Sequence, residues 1–599
     1  MRPPESCTLF ALLLALSATG GAAAPPPASA APAQPVEKPA VARFQEDVRW
    51  LADDAREGRG IGTRGLTEAR DWIAARFQAV GVQPAGEAGG WFQTLRVPTS
   101  VEVAAAGTGV SIDGRRLDRQ AFQPAGFSAS TRVEAAVVAA GYGITAPDIG
   151  VDDYAGLEVK GKIAVVRRFT PKTGPFEQED HQRRHGDLRA KAWNAREQGA
   201  VGLIVVDAPP PGSEETGEAP LPEPAIEAGA GAAAGDAGIP VVLLSREAGA
   251  PLFAGRHRAG IAVELTRKFE PAQNVVGVVR AGASERLPGA VLVGAHYDHI
   301  GLGGPASLAP DVREIHNGAD DNASGIAALV EVARRLVERR SELRRDVWLV
   351  AFAAEELGTL GSTALTRQPP GGLRIEDLVG MLNMDMVGRL RDLGKLSVLG
   401  GDSAEEWRAL MEPLCQRAAL ECALSGDGFG ASDHSPFYGA GVPVLHFFTG
   451  THADYHKPSD DTDKVDAAGG VQVAGLVADA AFALAGRPER LAYKSAPPPL
   501  PRGDLRASGA SLGTVPDYAG DGRPGVLLAG VRPGSAAEVG GLQRGDLLVK
   551  LAGTEVRDIH DLMFVLRRAK PGEKAAAVVD RAGERLELQI TFEASKGMR

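Results

Sequence analysis

At 599 residues the chain is too long for a single hydrophobic core, so several domains are expected. With 44% hydrophobic and 24% charged residues its composition is that of an ordinary soluble protein. A formal net charge of −11 argues against a nucleic-acid partner, because phosphate binding wants a basic face.

Residues 1–30 read as a secretory signal peptide. Arg2 supplies the charge, Leu9 to Leu16 a short apolar run, and Ala28-Ser29-Ala30 a small-residue cleavage site. The run is too short to cross a bilayer and no later stretch does better, so the chain is expected to be exported, periplasmic or secreted, without a membrane span. Cys7 precedes the run, which argues against a lipid anchor. The remaining two cysteines, Cys415 and Cys422, either pair or stay as two buried thiols, and the sequence leaves both open.

Residues 31–42 form an Ala/Pro tether, and globular patterning starts at 43. Leu66, Ala69, Ile73, Phe77 and Val80 recur at helical spacing, predicting a helix after the Gly62-Thr63-Arg64-Gly65 turn. This first globular segment is taken to 132. From 133 to 265 the text changes to short β-type runs at Ile163–Val166, Val201–Val206 and Ile239–Leu244. An acidic Pro/Gly/Ala stretch, Ala208–Gly238, reads as a mobile surface loop. Gly141-Tyr142-Gly143-Ile144, Asp153-Tyr154-Ala155-Gly156-Leu157, Gly161-Lys162-Ile163 and Gln198-Gly199-Ala200-Val201-Gly202 resemble a protease-associated (PA) domain.

Between 266 and 488 apolar strands alternate with amphipathic helices, an α/β signature. The strand candidates are Val291–Ala295, Val347–Ala353, Leu378–Met384 and Val442–Phe448. A proline-rich linker spans 489–503. From 504 to 595, Ser511-Leu512-Gly513-Thr514, Pro533-Gly534-Ser535-Ala536-Ala537 and Gly545-Asp546-Leu547-Leu548 resemble a PDZ domain. Its helix Ile559–Arg567 would border a groove accepting a C-terminal peptide by strand addition. This tail is expected to fold alone and to act only through tethering.

The chemistry lies in the α/β segment. His296 and Asp298 sit two apart at a strand end, and Asp298 is placed to accept the imidazole's other N–H, directly or through the backbone. Asp321 ends a Gly-Ala-Asp-Asp turn, where a carboxylate either bridges two cations or caps the following helix. Glu355-Glu356 closes an apolar strand, where buried carboxylates are costly without partners; one can bind metal while the other works as a base. Asp385 stands anomalously among Leu382, Met384 and Met386. His456 follows Tyr455, with Asp460 four residues on as its expected acceptor. His181 and His185 read as a solvated helix face, and Gly509-Ala510-Ser511-Leu512-Gly513 as a chance hydrolase motif without strand-turn-helix context. The absence of His-Glu-x-x-His excludes a thermolysin-type site.

In order and spacing, H-x-D, D, E-E, D and Y-H-x-x-x-D resemble the co-catalytic zinc aminopeptidases of the M28 type. Gly58-Arg59, Gly62-Thr63, Asn274-Val275-Val276-Gly277 and Ser432-Asp433-His434-Ser435-Pro436-Phe437 support the likeness. The resemblance implies an α/β/α sandwich with a mixed central sheet, and two zinc ions. His296 and Asp385 would bind one ion, Glu356 and His456 the other, with Asp321 bridging. Glu355 would be the general base, Asp298 would stand behind His296, and Tyr455 would help hold the carbonyl oxygen. Substrates would be peptides with a free N-terminus. Alternatives are a glutaminyl cyclase-like acyltransferase, a carboxypeptidase of the same family and a receptor-like binding protein; the last is disfavoured because every ligand position is filled.

Overall fold

The computed structural model describes residues 37–594 apart from 147–148, 214–216, 226–235, 305, 310–311, 496–509, 517–522 and 532–533. The signal peptide, its cleavage site and Cys7 lie outside the described residues, as do most of the Pro-rich linker and part of the Ala208–Gly238 loop. The tether is shorter than its composition suggests, because a helix already runs over Lys38–Leu51, with Pro39 in its first turn where a missing N–H costs nothing. The predicted second helix spans Arg64–Val80, started by the Thr63 hydroxyl, which accepts from Leu66 N, and stopped by Gly81 in the left-handed conformation.

A nine-stranded mixed sheet forms the centre of the peptidase-like unit. Its middle consists of four parallel strands in the order Asp346–Phe352, Ala290–His296, Leu378–Met384, Val444–Phe448, all buried on both faces, which is why they read as continuous apolar runs. Leu265–Val279 flanks them antiparallel on one side and Leu396–Leu399 on the other. Helices cover both faces. The Gly325–Glu338, Lys38–Leu51 and Ala467–Gly486 helices pack together on one of them. Contrary to expectation, a later stretch does better than the N-terminal run at resembling a membrane span: Ala467–Gly486 is long and apolar enough by length and composition. In this fold its apolar window is 67% buried, as the central helix of that layer. Cys415 and Cys422 form a disulfide with Cα atoms 6.1 Å apart, joining the Trp407–Arg417 helix to the Cys422–Ser425 strand.

The PA-like unit leaves and rejoins this sheet through a long antiparallel ribbon, Phe92–Val103 against Leu265–Val279. Its eight-stranded sheet has a parallel centre at Arg132–Ala139, Ile163–Arg167, Gly202–Val206 and Val241–Leu244. It begins earlier than 133: Gly109–Ile112 pairs with Arg258–Ala262, and Phe122–Pro124 with Val241–Leu244. These short strands carry too little apolar alternation to stand out before their partners are known.

The C-terminal unit has its own core, from Ala510 and Leu512 to Ile590 and Phe592. It is not simply tethered. The PA-like helix Leu188–Glu197 docks on its helix Ile559–Arg568 through Arg189–Asp558 (3.0 Å) and Arg196–Asp561 (2.6 Å), and Trp193 stacks on Phe564 with ring centroids 4.8 Å apart.

Candidate metal centre

The centre lies where open α/β sheets place their sites, beyond the carboxyl ends of the parallel strands. His296 is the last residue of its strand, Glu355 and Glu356 follow Phe352 by three and four residues, Asp385 follows Met384 directly, and His456 lies in the loop after Phe448. Ala354, Met386 and His456 adopt left-handed backbone conformations (φ 57°, 51° and 52°), so the chain bends sharply beside Glu355, beside Asp385 and at His456 itself. The turn Ala319–Ser324, which contains a cis Asp321–Asn322 peptide, carries Asp321 inward. Asp321 does not cap the following helix; the Asn322 side-chain oxygen accepts from Gly325 N instead.

Two donor sets share Asp321. His296 Nε2 lies 3.4 Å from Asp321 Oδ1 and 3.3 Å from Asp385 Oδ1. His456 Nε2 lies 3.3 Å from Asp321 Oδ2 and 3.0 Å from Glu356 Oε2. Two donor atoms each about 2.0–2.1 Å from one tetrahedral ion stand about 3.3 Å apart. Three of the four separations fit that edge length better than they fit good N–H···O hydrogen bonds, the 3.0 Å from His456 to Glu356 fits either, and the mixed imidazole and carboxylate donors suit zinc. Asp321 presents one oxygen to each set. Glu355 belongs to neither: its Oε2 lies 3.9 Å from His296 Nε2, beyond that edge.

Burial raises the Glu355 carboxyl well above its usual range, with Glu356, Asp385 and Asp433 adding to the rise and His296 opposing it. Asp433 is pushed up to about 7, chiefly by burial. Glu356 sits at about 2 and Asp321 is held well below its usual range: in both, contacts with His299, His296 or His456 outweigh burial. Despite burial, His456 rises to about 11 through Asp321 and Glu356. Where the structure records ion pairs of Asp321, Glu356 and Asp385, the partners are histidines. With Asp298, Glu355 and Asp433 beside these three, the pocket holds more carboxyl groups than imidazoles to pair with them.

Of the supporting roles, that of Asp298 falls on the backbone alternative and that of Asp460 differs from expectation. The acceptor for His296 Nδ1 is the backbone carbonyl of Asp298, at 3.2 Å; the Asp298 carboxylate is 3.9 Å away and instead accepts from the amides of Glu355 (3.1 Å) and Glu356 (3.4 Å). Asp298 thus sets the bend that presents the two glutamates. Nor does Asp460 back His456, whose Nδ1 meets the Ala306 carbonyl at 2.8 Å. Asp460 accepts from the amides of Asp320 and Asp321 and from Arg389, fixing the turn that carries Asp321. Tyr455 stacks on His456 with centroids 4.0 Å apart.

Three contributors were assigned no role from the sequence, although Arg59 and Ser432 lie in the motifs that support the likeness. Ser432 donates to Asp385 Oδ2 at 2.8 Å. Arg59 is fully buried and donates to the carbonyls of Leu51, Tyr297, Asn317 and Gly318, tying the His296 and Asp321 segments to the N-terminal helix. His299 meets Glu356 Oε1 at 2.6 Å. Its signal was a second histidine one residue beyond His296-Tyr297-Asp298. His181 and His185 lie away from the centre, on the PA-like unit.

The family comparison covers the residues that carry this geometry. Residues 274–481 match the model of peptidase family M28, 133–252 that of the PA domain and 528–581 that of a PDZ domain. Aminopeptidase YwaD of Bacillus subtilis is 27% identical over 356 residues, which are 57% of this chain and 67% of that one. Three further relatives from Arthroderma and Trichophyton, each described as "Probable leucine aminopeptidase", are matched over 61–62% of their length. Among solved structures, an aminopeptidase from Aneurinibacillus sp. strain AM-1 aligns with a TM-score of 0.47 at 21% identity, over 77% of this chain and 97% of its own. BSAP, a zinc aminopeptidase from Bacillus subtilis, aligns with 0.45 at 24%, over 74% and 94%.

Proposed function

We propose that this chain, a zinc metallopeptidase with an M28-family domain beside a PA and a PDZ domain, is an exported aminopeptidase that uses two zinc ions to release N-terminal residues from peptides. The observation that carries the reading is the pair of donor sets joined at Asp321, His296 with Asp385 and His456 with Glu356. Bound zinc supplies Lewis acidity, polarising a carbonyl and lowering the pKa of water.

Everything else in the reaction falls to the chain. Glu355, outside both donor sets yet beside them, takes a proton from the attacking water and passes it to the leaving amine. Its raised proton affinity suits a group that must hold a proton between those two steps. Tyr455, fixed by its stack on His456, donates toward the developing oxyanion. The surplus of buried carboxylates favours a substrate that brings positive charge, as a free peptide N-terminus does. The disulfide and the signal-like N-terminus support export to an oxidising compartment. The PDZ domain offers a groove for the C-terminal end of a partner or a long substrate.

A release assay on paired peptides, free and acetylated at the N-terminus, with zinc counted in the same sample, tests this. Cleavage confined to the free peptide at two zinc per chain is expected. Equal cleavage of both peptides overturns the aminopeptidase reading, and one zinc per chain overturns the two-ion reading.

A further inference from the structure

His299 is fully buried and comes within reach of two carboxylates of the centre, which makes it a rival to His456 for the second donor set. The distances separate the two roles. His299 Nδ1 is 2.6 Å from Glu356 Oε1, shorter than the roughly 3.3 Å edge between donors sharing a tetrahedral ion and right for a charge-assisted hydrogen bond. It is 3.9 Å from Asp321 Oδ2, beyond that edge, whereas His456 stands 3.0 Å from Glu356 and 3.3 Å from Asp321. The two oxygens of Glu356 are thereby divided, Oε1 to His299 and Oε2 to the set formed by His456 and Asp321.

The surroundings hold the ring at that angle. Its backbone N donates to the Arg59 carbonyl, and the ring lies edge-on to His456 with centroids 5.6 Å apart. On its other side is Gly318, at φ 54°, where an added Cβ would come within 2.5 Å of the His299 ring. The Nε2 atom is buried without a hydrogen-bond partner among the described residues. This matches a ring whose useful proton is on Nδ1, because a carboxylate can only accept.

We infer that His299 is a positioning residue: by donating Nδ1–H to Glu356 Oε1 it restricts Glu356 to a single metal-facing oxygen and so sets the affinity of the zinc site shared by Glu356, His456 and Asp321. The inference rests on the two-zinc reading. Removing an outer hydrogen bond of this kind lowers metal affinity by about 10–100-fold.

The test measures zinc affinity by competition with a chelator in the full chain, for wild type, His299→Ala and His299→Asn, with thermal unfolding of each metal-free protein as the control for folding. The alanine variant is expected to lose affinity at one site by that factor and keep the other. The asparagine variant, whose amide N–H can replace Nδ1–H, is expected to recover most of the loss. Unchanged affinity in the alanine variant overturns the inference. So does equal loss in both variants with unaltered metal-free unfolding, which would make the imidazole itself a ligand. If wild type binds one zinc, the two-ion reading fails separately, and the same comparison at the single site still decides the role of His299.

Discussion

Two clusters of buried charge in this molecule are built differently, and only one of them is matched cation for anion. At the junction of the PA and PDZ domains, Arg189 meets Asp558 and Arg196 meets Asp561, cation for anion, beside a stacked Trp193–Phe564 pair. At the strand ends, Asp298, Asp321, Glu355, Glu356, Asp385 and Asp433 crowd around three imidazoles, and the guanidinium of Arg59 spends its donors on backbone carbonyls. A matched buried pair holds surfaces together and fixes their register. A surplus of one sign, arranged at the spacing of metal donors, is stable only with something added, and it is the pattern of a working site.

If the strand-end surplus is catalytic, its members must divide the labour, and the largest effect should come from the one that stands free. Glu355→Gln is expected to keep its zinc and lose at least the ~10²–10⁴-fold in kcat typical of a general base, since Glu355 also orients the water. Glu356→Ala is expected to lose zinc instead. Elemental analysis beside steady-state kinetics on a dipeptide-sized substrate separates the two. A Glu355→Gln enzyme near the wild-type rate would mean that the surplus serves metal retention alone.

At the balanced junction, removing one partner should hurt and removing both should hurt less. Asp558→Ala leaves Arg189 buried without its carboxylate, at a cost of about 3–5 kcal/mol. Part of that, ~1 kcal/mol, is the lost helix cap that Asp558 provides to Asp561 N. Adding Arg189→Met should return much of the remainder. Hydrogen exchange of residues 188–197 and 559–568 reads the docking directly; a double variant as mobile as the single one would show that the pair does more than match charge.

Because the PDZ domain docks through the PA helix, its removal should unsettle that helix and leave the chemistry alone. Truncation at Pro499 is expected to leave turnover of a dipeptide-sized substrate nearly unchanged and to weaken handling of longer chains. The truncated chain should also expose Trp193 and lose stability in the PA domain. A large fall in kcat on the short substrate, with zinc still bound, would place the PDZ domain among the parts that shape the cleft.

The two regions also differ in how far they could be read in advance. His296, Asp321, Glu355, Glu356, Asp385 and His456 were legible because each stands at a strand end or in a turn or loop, and because they follow in a set order. How the supporting groups hold them was not. Asp298 works through the amides of Glu355 and Glu356, and Asp460 through those of Asp320 and Asp321, contacts decided by how loops fold back. Arg59 and His299 carry no periodic signal at all. The junction was illegible for a plainer reason: Arg189 and Asp558 lie 369 residues apart, and an arginine on a polar helix looks like any solvated one until the other domain arrives.

Lys191 sharpens the comparison with the smallest effect. It sits on the docking helix between Arg189 and Arg196, fully buried, with its ammonium donating to the Tyr142 carbonyl. Burial lowers its pKa to about 7, against the opposing pull of Asp153 and Asp187. A base depressed in the folded state costs stability wherever the unfolded chain is protonated, in full below the folded value and progressively less above it. Between pH 7 and the unfolded value near 10.5 the unfolded state binds about one more proton, so this residue makes stability rise with pH by ~1.4 kcal/mol per unit. Below pH 7 the full penalty is present and flat. Lys191→Met, unbranched and of similar length, should remove that slope and be more stable than wild type at pH 7.5, with the margin shrinking by roughly 1–2 kcal/mol on going to pH 9. Urea unfolding at the two pH values measures it. Parallel curves would mean that Lys191 keeps its proton inside the fold, and that Asp153 completes a third matched pair.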